Sequence, residues 1–329
     1  MFIPQNYAVA LAFMILSMIC WGSWANTQKA TGAWRFELFY WDYVWGVLLF
    51  FLAAGLTLGR TDASSADSFF RNLAATDARH LTYAFLGGIV YNISNILIVA
   101  AIAVAGLAVA FPVGIGLALV IGSVLNYIIT PKGNPLLLFG GVTLVCVAII
   151  LDAMAYRQLS PDAKTSTKGI VLSLLGGFGM GLFYPFIAKG ISGQNHLGPY
   201  TVAIVFGLGI LASNLPANYL IMRRPVAGPP VRIADYFAGA GPLHLWGIFG
   251  GLAWGVGTLS NFVASYAAMV GPATSYALGQ GATMIGAIWG VFVWKEFAGA
   301  GSIAKRLLAL MFVFFILGLV CVALAPVVK

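Results

Sequence analysis

Apolar residues in this chain gather into ten long runs. They lie at about 7–26, 38–58, 81–101, 107–129, 134–153, 169–189, 200–222, 244–267, 272–294 and 306–326. Each is long enough to cross a bilayer as a helix, which takes roughly 20 residues. A lipid-facing barrel would alternate apolar and polar residues; the stretches 138–151 (LFGGVTLVCVAIIL) and 307–320 (LLALMFVFFILGLV) do not. Backbone polar groups in lipid must be satisfied within the segment, so the runs predict helices. The expected fold is an all-α integral membrane protein with ten transmembrane helices. Two connections are longer than the rest, 59–80 and 223–243, and Phe69, Phe70 and Leu73 beside Arg71 predict a short interfacial helix in the first.

The two long connections stand 163–164 residues apart, and other features repeat near that offset. Leu86-Gly87-Gly88-Ile89 in span 3 answers Phe249-Gly250-Gly251-Leu252 in span 8, and Gly106 answers Gly271 at the starts of spans 4 and 9. Trp24 and Lys29 answer Tyr184 and Lys189. This predicts two five-helix repeats, 1–158 and 159–329, forming one membrane-embedded transport domain. Five is odd, so the second repeat enters the membrane inverted. Inverted repeats are the architecture of alternating-access transporters, with the site near the midplane between the halves.

Composition narrows the chemistry. The chain is 61% hydrophobic and 8% charged, too little charge to cover a water-exposed surface. The net charge of +8 sits in short loops, as topology signals and lipid anchors, and no basic patch points to nucleic acid. Loops 1–2, 5–6, 7–8 and 9–10 carry 11 Lys and Arg against 6 on the opposite face, which places both termini outside the cytoplasm. No Lys or Arg precedes Lys29, so the first run reads as a retained helix. Cys20, Cys146 and Cys321 read as buried small residues, and His80, His196 and His244 are isolated near span ends. With no phosphate-cradling loop, HExxH or nucleophile–base set, no catalytic residue, metal or cofactor is expected.

Function then rests on the polar residues within the apolar spans. Asp42, in Tyr40-Trp41-Asp42-Tyr43, is the candidate proton-coupling acid, since a carboxylate in lipid is costly unless paired or protonated. The alternative is an interfacial carboxylate paired with Lys29 or Arg35. Glu37 reads as solvated, Asp152 as interfacial and Lys295-Glu296 as an interfacial charged cap. Trp21, Trp24 and Gln28 share a face of span 1, where an aromatic wall beside an amide suits a sugar ring or a planar heterocycle. Asn92 and Asn95 share a face of span 3. Trp254, Thr258 and Asn261 (with Ser265) do so on span 8, and Tyr276 and Gln280 (with Thr283) on span 9. Such groups cannot face lipid unsatisfied, so they face other helices or a wet cavity. One interhelical hydrogen bond is worth only about 0.6 kcal/mol, and structural glue explains a single amide easily. Three stripes at repeat-related positions favour a cavity, lined by spans 1, 3, 4, 6, 8 and 9, to which span 6 adds Tyr184. Gly247, Gly251 and Gly255 predict close helix packing on span 8, and Pro112 and Pro185 predict kinks in spans 4 and 6.

Several segments resemble the plant ureide permeases and the bacterial glucose/ribose porters, two ten-helix families of the drug/metabolite transporter superfamily. They are 106–113 GLAVAFPV with 121–127 IGSVLNY, 271–296 GPATSYALGQGATMIGAIWGVFVWKE, 20–24 CWGSW and 40–43 YWDY. The likeness covers nearly the whole chain in order. It implies a secondary importer, proton-coupled, for a ureide or nucleobase-like compound or a sugar. Trp24, Asp42, Asn95, Asn126 and Glu296 fall where the ureide-permease pattern has similar residues. Two departures stand: the plant proteins have a long hydrophilic mid-chain loop where 154–168 is short, and the superfamily usually has cytoplasmic termini.

The expected protein is therefore a symporter of a small neutral polar solute, as a monomer or homodimer among membrane lipids in a bacterial inner (plasma) membrane. An exporter of drugs or metabolites is the rival within the superfamily. A non-transporting receptor or scaffold, and last a membrane enzyme, are rivals of another class.

Overall fold

The computed structural model describes residues 1–60, 68–159 and 166–328. Among these, ten helices are long and apolar enough to cross a membrane: Tyr7–Ala30, Phe36–Arg60, Ala78–Ala105, Pro112–Ile129, Pro135–Leu159, Thr167–Gly190, Pro199–Arg223, Gly241–Tyr266, Pro272–Val293 and Ser302–Leu324. They are spans 1 to 10, matching the apolar runs to within a few residues at most ends. The protein is an integral, multi-pass, all-helical membrane protein. The interfacial helix is present at Phe69–Ala75, and a second short helix, Ile233–Phe237, lies in the other long connection. Residues 61–67 of the first long connection lie outside the described residues, as do Lys164 and Lys329 of the charge count.

Helix starts follow local chemistry. Asn6 accepts a hydrogen bond from the Val9 amide, Asp77 from that of His80, and Ser166 from that of Gly169, each satisfying an amide that the first turn leaves free. Gly106 and Gly271, at the starts of spans 4 and 9, share one conformation: φ/ψ of 73°/170° and 86°/164°. This region is essentially restricted to glycine. Pro112 falls in a π-helical turn, Phe111–Ile115, and Pro185 stands inside span 6.

The packing of the spans pairs off with a shift of five. Span 3 packs on span 6 as span 8 packs on span 1; span 2 on 8 as 7 on 3; span 4 on 6 as 9 on 1. Spans 2 and 7, 4 and 9, and 5 and 10 pack on one another. The correspondence reaches single residues. A Cβ on Gly251 would strike the Tyr43 carbonyl and the Gly46 backbone, and one on Gly88 would strike the Phe206 carbonyl and the Gly209 backbone. Both crossings depend on glycine facing glycine, the close approach that small residues give membrane helices.

Candidate functional site

Spans 1, 3, 4, 6, 8 and 9, the six expected, surround a central cavity of about 390 Å³. Its lining comes from the end of span 1 (Trp21 to Gln28), from Asn95 to Ile102 of span 3, from Ile115, and from Gln280 to Gly286 of span 9. The cavity therefore lies toward the face carrying loops 1–2, 3–4 and 9–10.

Its wall is aromatic. Tyr91 and Trp254 stack with centroids 4.4 Å apart and planes at 29°. Trp21 stacks beyond Trp254 at 6.5 Å, and Phe183 meets Tyr91 edge-on at 5.4 Å. Trp24 leans on Tyr43 at 4.9 Å. Rings held against rings lose little freedom when a flat solute is laid on them.

The polar groups divide into committed and uncommitted. Asn95 donates through Nδ2 to the Tyr40 hydroxyl at 3.0 Å, Tyr40 donates to Asn92 Oδ1 at 3.0 Å, and Asn92 donates to Ser213 at 3.0 Å. Among the described residues, none donates to the Asn95 carbonyl oxygen. The side-chain amides of Gln28 and Gln280 and the indole N–H of Trp254 have no partner among the described residues either. All four groups belong to cavity-lining residues, and no described charged residue lines the cavity.

Of the side chains singled out in the sequence, Trp21, Trp24, Gln28, Asn95, Trp254 and Gln280 line the cavity. Asn92, Tyr184, Thr258, Asn261 and Tyr276 are buried beside or below it. Thr258 accepts the Trp21 indole N–H at 2.9 Å and so fixes that ring. Asn261 lies two turns beyond Trp254, about 10 Å along the helix. It is a node: Tyr184 donates to its Oδ1 at 2.5 Å, while its Nδ2 donates to Ser17 at 3.0 Å and to the Ser275 carbonyl at 2.9 Å. Tyr276 donates to the Ala118 carbonyl at 3.0 Å. Together these residues tie spans 1, 4, 6, 8 and 9 into a closed floor. Thr283, of the span 9 stripe, also lines the cavity, as do Tyr91 and Phe183, which no sequence pattern marks, although Tyr91 stands at the repeat offset from Trp254.

The acids are placed differently from expectation. Asp42 is buried but does not line the cavity. Its partners are neither Lys29 nor Arg35: Tyr236 donates to Oδ1 at 2.6 Å and His244 Nδ1 to Oδ2 at 2.8 Å. Partial burial and the Asp42 charge push the Tyr236 hydroxyl above the usual tyrosine range. His244 is thus not isolated, nor is His80, which bonds to Asp77 at 2.6 Å. Glu37 is buried rather than solvated, because Arg35 grips it with two nitrogens at 3.1 and 2.6 Å. Asp152 is buried inside the bundle, on a small pocket that it lines together with residues of spans 1 and 9. Glu296 is ion-paired to Lys29 at 2.6 Å.

Residues 39–173 match the family model described as Ureide permease. Ureide permease 1 of Arabidopsis thaliana is 22% identical over 96% of this chain and 96% of its own, and ureide permease 4 of the same plant is 21% identical over equal shares. Ureide permease 2 is 29% identical over 51% of this chain and 44% of its own. The chain resembles the ureide permeases. The resemblance to the ureide permeases read from the motifs is borne out along nearly its whole length, and likeness to permeases indicates a transporter and not an enzyme. A solved crystal structure superposes with a TM-score of 0.63 over 94% of this chain and 96% of that one at 13% identity, which shows a shared fold alone.

Proposed function

We propose that this protein imports a small neutral polar solute of ureide or nucleobase type by alternating access, driven by protons. One observation carries the reading: an uncharged cavity of about 390 Å³ walled by stacked aromatics and lined by Gln28, Asn95 and Gln280. The volume falls in the usual ligand range of roughly 300–1,000 Å³. A carboxamide offers donor and acceptor side by side, which matches the amide edge of a ureide or nucleobase, while Tyr91, Trp21 and Trp254 offer planes for its ring. An absence of lining charge selects a neutral solute, since a buried ion would lack its counter-charge.

Tryptophans also suit a sugar face; kinship to proteins named ureide permeases favours the ureide class. The five-span shift in packing supports two inverted halves, 1–158 and 159–329, that rock about the cavity. In this cycle Asp42 works as a proton-dependent latch: protonation weakens its hold on Tyr236 and His244 and frees the connection between spans 7 and 8.

A thermal-shift and counterflow series with allantoin, uracil, ribose and glucose tests the assignment. A ligand that binds the folded state raises its melting temperature by mass action. Stabilisation and exchange with allantoin or uracil are expected. A response to sugars alone would move the assignment to sugars, and no response to any of the four would overturn it.

A further inference from the structure

A second, smaller pocket adjoins the central cavity and encloses about 150 Å³. We infer that this pocket is where solute movement is coupled to a proton and that Asp152 carries the proton; the inference rests on the transport reading above. Asn26 and Lys29 of span 1 line it, with Asp152 and Tyr156 of span 5, and Trp294 and Glu296 beyond span 9. It shares Gly22, Ala25, Thr283 and Gly286 with the central cavity, so only small side chains stand between the two.

The two acids are unequally provided for. Glu296 is satisfied at both oxygens, by Lys29 at 2.6 Å and Tyr156 at 2.7 Å. Partial burial would push its carboxyl up, but these two hydrogen bonds and the Lys29 charge outweigh that and hold it below the usual range. Asp152 is 4% exposed, its Oδ1 is buried without a partner, and among the described residues none donates a hydrogen bond to either of its oxygens.

Among the described residues, the ionisable groups facing Asp152 are Glu296, Lys29 and Tyr156. On span 10, packed along span 5, Lys305 and Arg306 are exposed and lie outside the pocket; on span 4, Tyr127 packs on Phe139 nearer the other end. An ionised Asp152 is thus a buried carboxylate with no donor and a second negative charge beside it, an arrangement rare and functional inside membranes. A proton removes that charge and turns the group into a donor. A metal ion fits worse, because Glu296 is already occupied and a single free carboxylate remains. Lys29, half-exposed and on a long flexible stem, is placed to swing from Glu296 to Asp152 and release the proton. Coupling passes through span 9. Thr283 stands in both pockets, one turn from the solute-facing Gln280.

The test uses purified full-length protein in liposomes with allantoin and uracil as probes. Asp152→Asn is expected to keep counterflow, which needs no net proton, and to lose accumulation driven by an inward pH gradient; Asp152→Glu restores part of it. Wild-type accumulation by Asp152→Asn overturns the proposal. So does accumulation by the wild type under a sodium gradient but not a pH gradient. A solute-free readout separates this from the transport assignment: Trp289 and Trp294 line the pocket. Wild-type tryptophan emission is expected to change with pH, Asp152→Asn to remove the part of that change arising from Trp289 and Trp294, and Asp42→Asn to retain that part. Identical titrations of the wild type and Asp152→Asn overturn the proposal. If neither probe exchanges in the wild type, the solute assignment fails while the emission titration still decides the proton site.

Discussion

Tyr91 and Trp254 stack on each other with ring centroids 4.4 Å apart, although 163 residues separate them in the chain. That separation equals the offset between the two proposed halves, and under that proposal each ring is the other's counterpart and the contact falls where an axis relating the halves would pass. Phe183 flanks Tyr91 as Trp21 flanks Trp254. Under the proposed function this wall holds the solute's flat face. Trp254→Phe is expected to preserve folding and weaken the stack by about 1 kcal/mol, a roughly five-fold rise in KM for counterflow. An unchanged KM would mean that the solute does not lie on this ring.

The uncommitted amides should govern affinity. Gln28→Ala and Gln280→Ala each remove one neutral hydrogen-bonding group, worth about 1 kcal/mol, and are expected to weaken binding roughly five- to ten-fold. Asn92→Ala cuts the link between Tyr40 and Ser213 outside the cavity. It should lower the melting temperature in detergent and leave KM unchanged. A titration of solute binding by each variant separates the two groups.

The glycine crossings should tolerate no side chain. In Gly251→Ala the new methyl meets the Tyr43 carbonyl and the Gly46 backbone, which cannot swing away as a side chain can. Overpacking of this kind costs about 1–3 kcal/mol. Gly140→Ala, on span 5 with nothing within 4 Å, is the control and should be neutral or slightly stabilising. Equal thermal unfolding midpoints for the two variants would contradict the close crossing.

Asp42→Asn tests the latch. The substitution keeps the shape of the side chain but removes the charge that receives the Tyr236 and His244 hydrogen bonds, each worth about 1.5–3 kcal/mol when the acceptor is ionised. Turnover is expected to change several-fold while the counterflow KM holds. Full wild-type accumulation in a pH gradient would remove Asp42 from the cycle.

Glu296 carries a pH dependence whose sign follows from its environment. Its folded-state carboxyl titrates below its unfolded value, so the pairing stabilises the fold above the ordinary glutamate range and loses that contribution as pH falls through the folded value. The melting-temperature advantage of the wild type over Glu296→Gln is therefore expected to be full at neutral pH and to vanish as pH drops below about 4. An advantage that persists in acid would mean that the contribution is not ionic.

Apolar period and length made the ten spans legible, because lipid imposes the same demand on every one of them. The cavity was half legible. Shared helix faces found Gln28, Asn95, Trp254 and Gln280, but a face does not say what it meets: Asn92, three residues from Asn95, points at Tyr40 and Ser213 instead. Tyr91 stands at the repeat offset from Trp254, but a tyrosine among apolar residues carries no period of its own. Asp152 reads as interfacial from its place near a span end; the pocket it faces is completed by spans 1 and 9, more than a hundred residues away on either side. Tyr236 lay in a connection with no pattern to mark it, 194 residues from the carboxylate it holds.

The floor beneath the cavity sets a thermal demand on the proposed cycle. At Asn261, hydrogen bonds from Tyr184 and to Ser17 and Ser275 close at one point and join four spans. A bundle that opens on that side exchanges all of them in one event, in a place with little water to take over. Such a step carries a large activation enthalpy, so cooling would arrest turnover while leaving the solute bound.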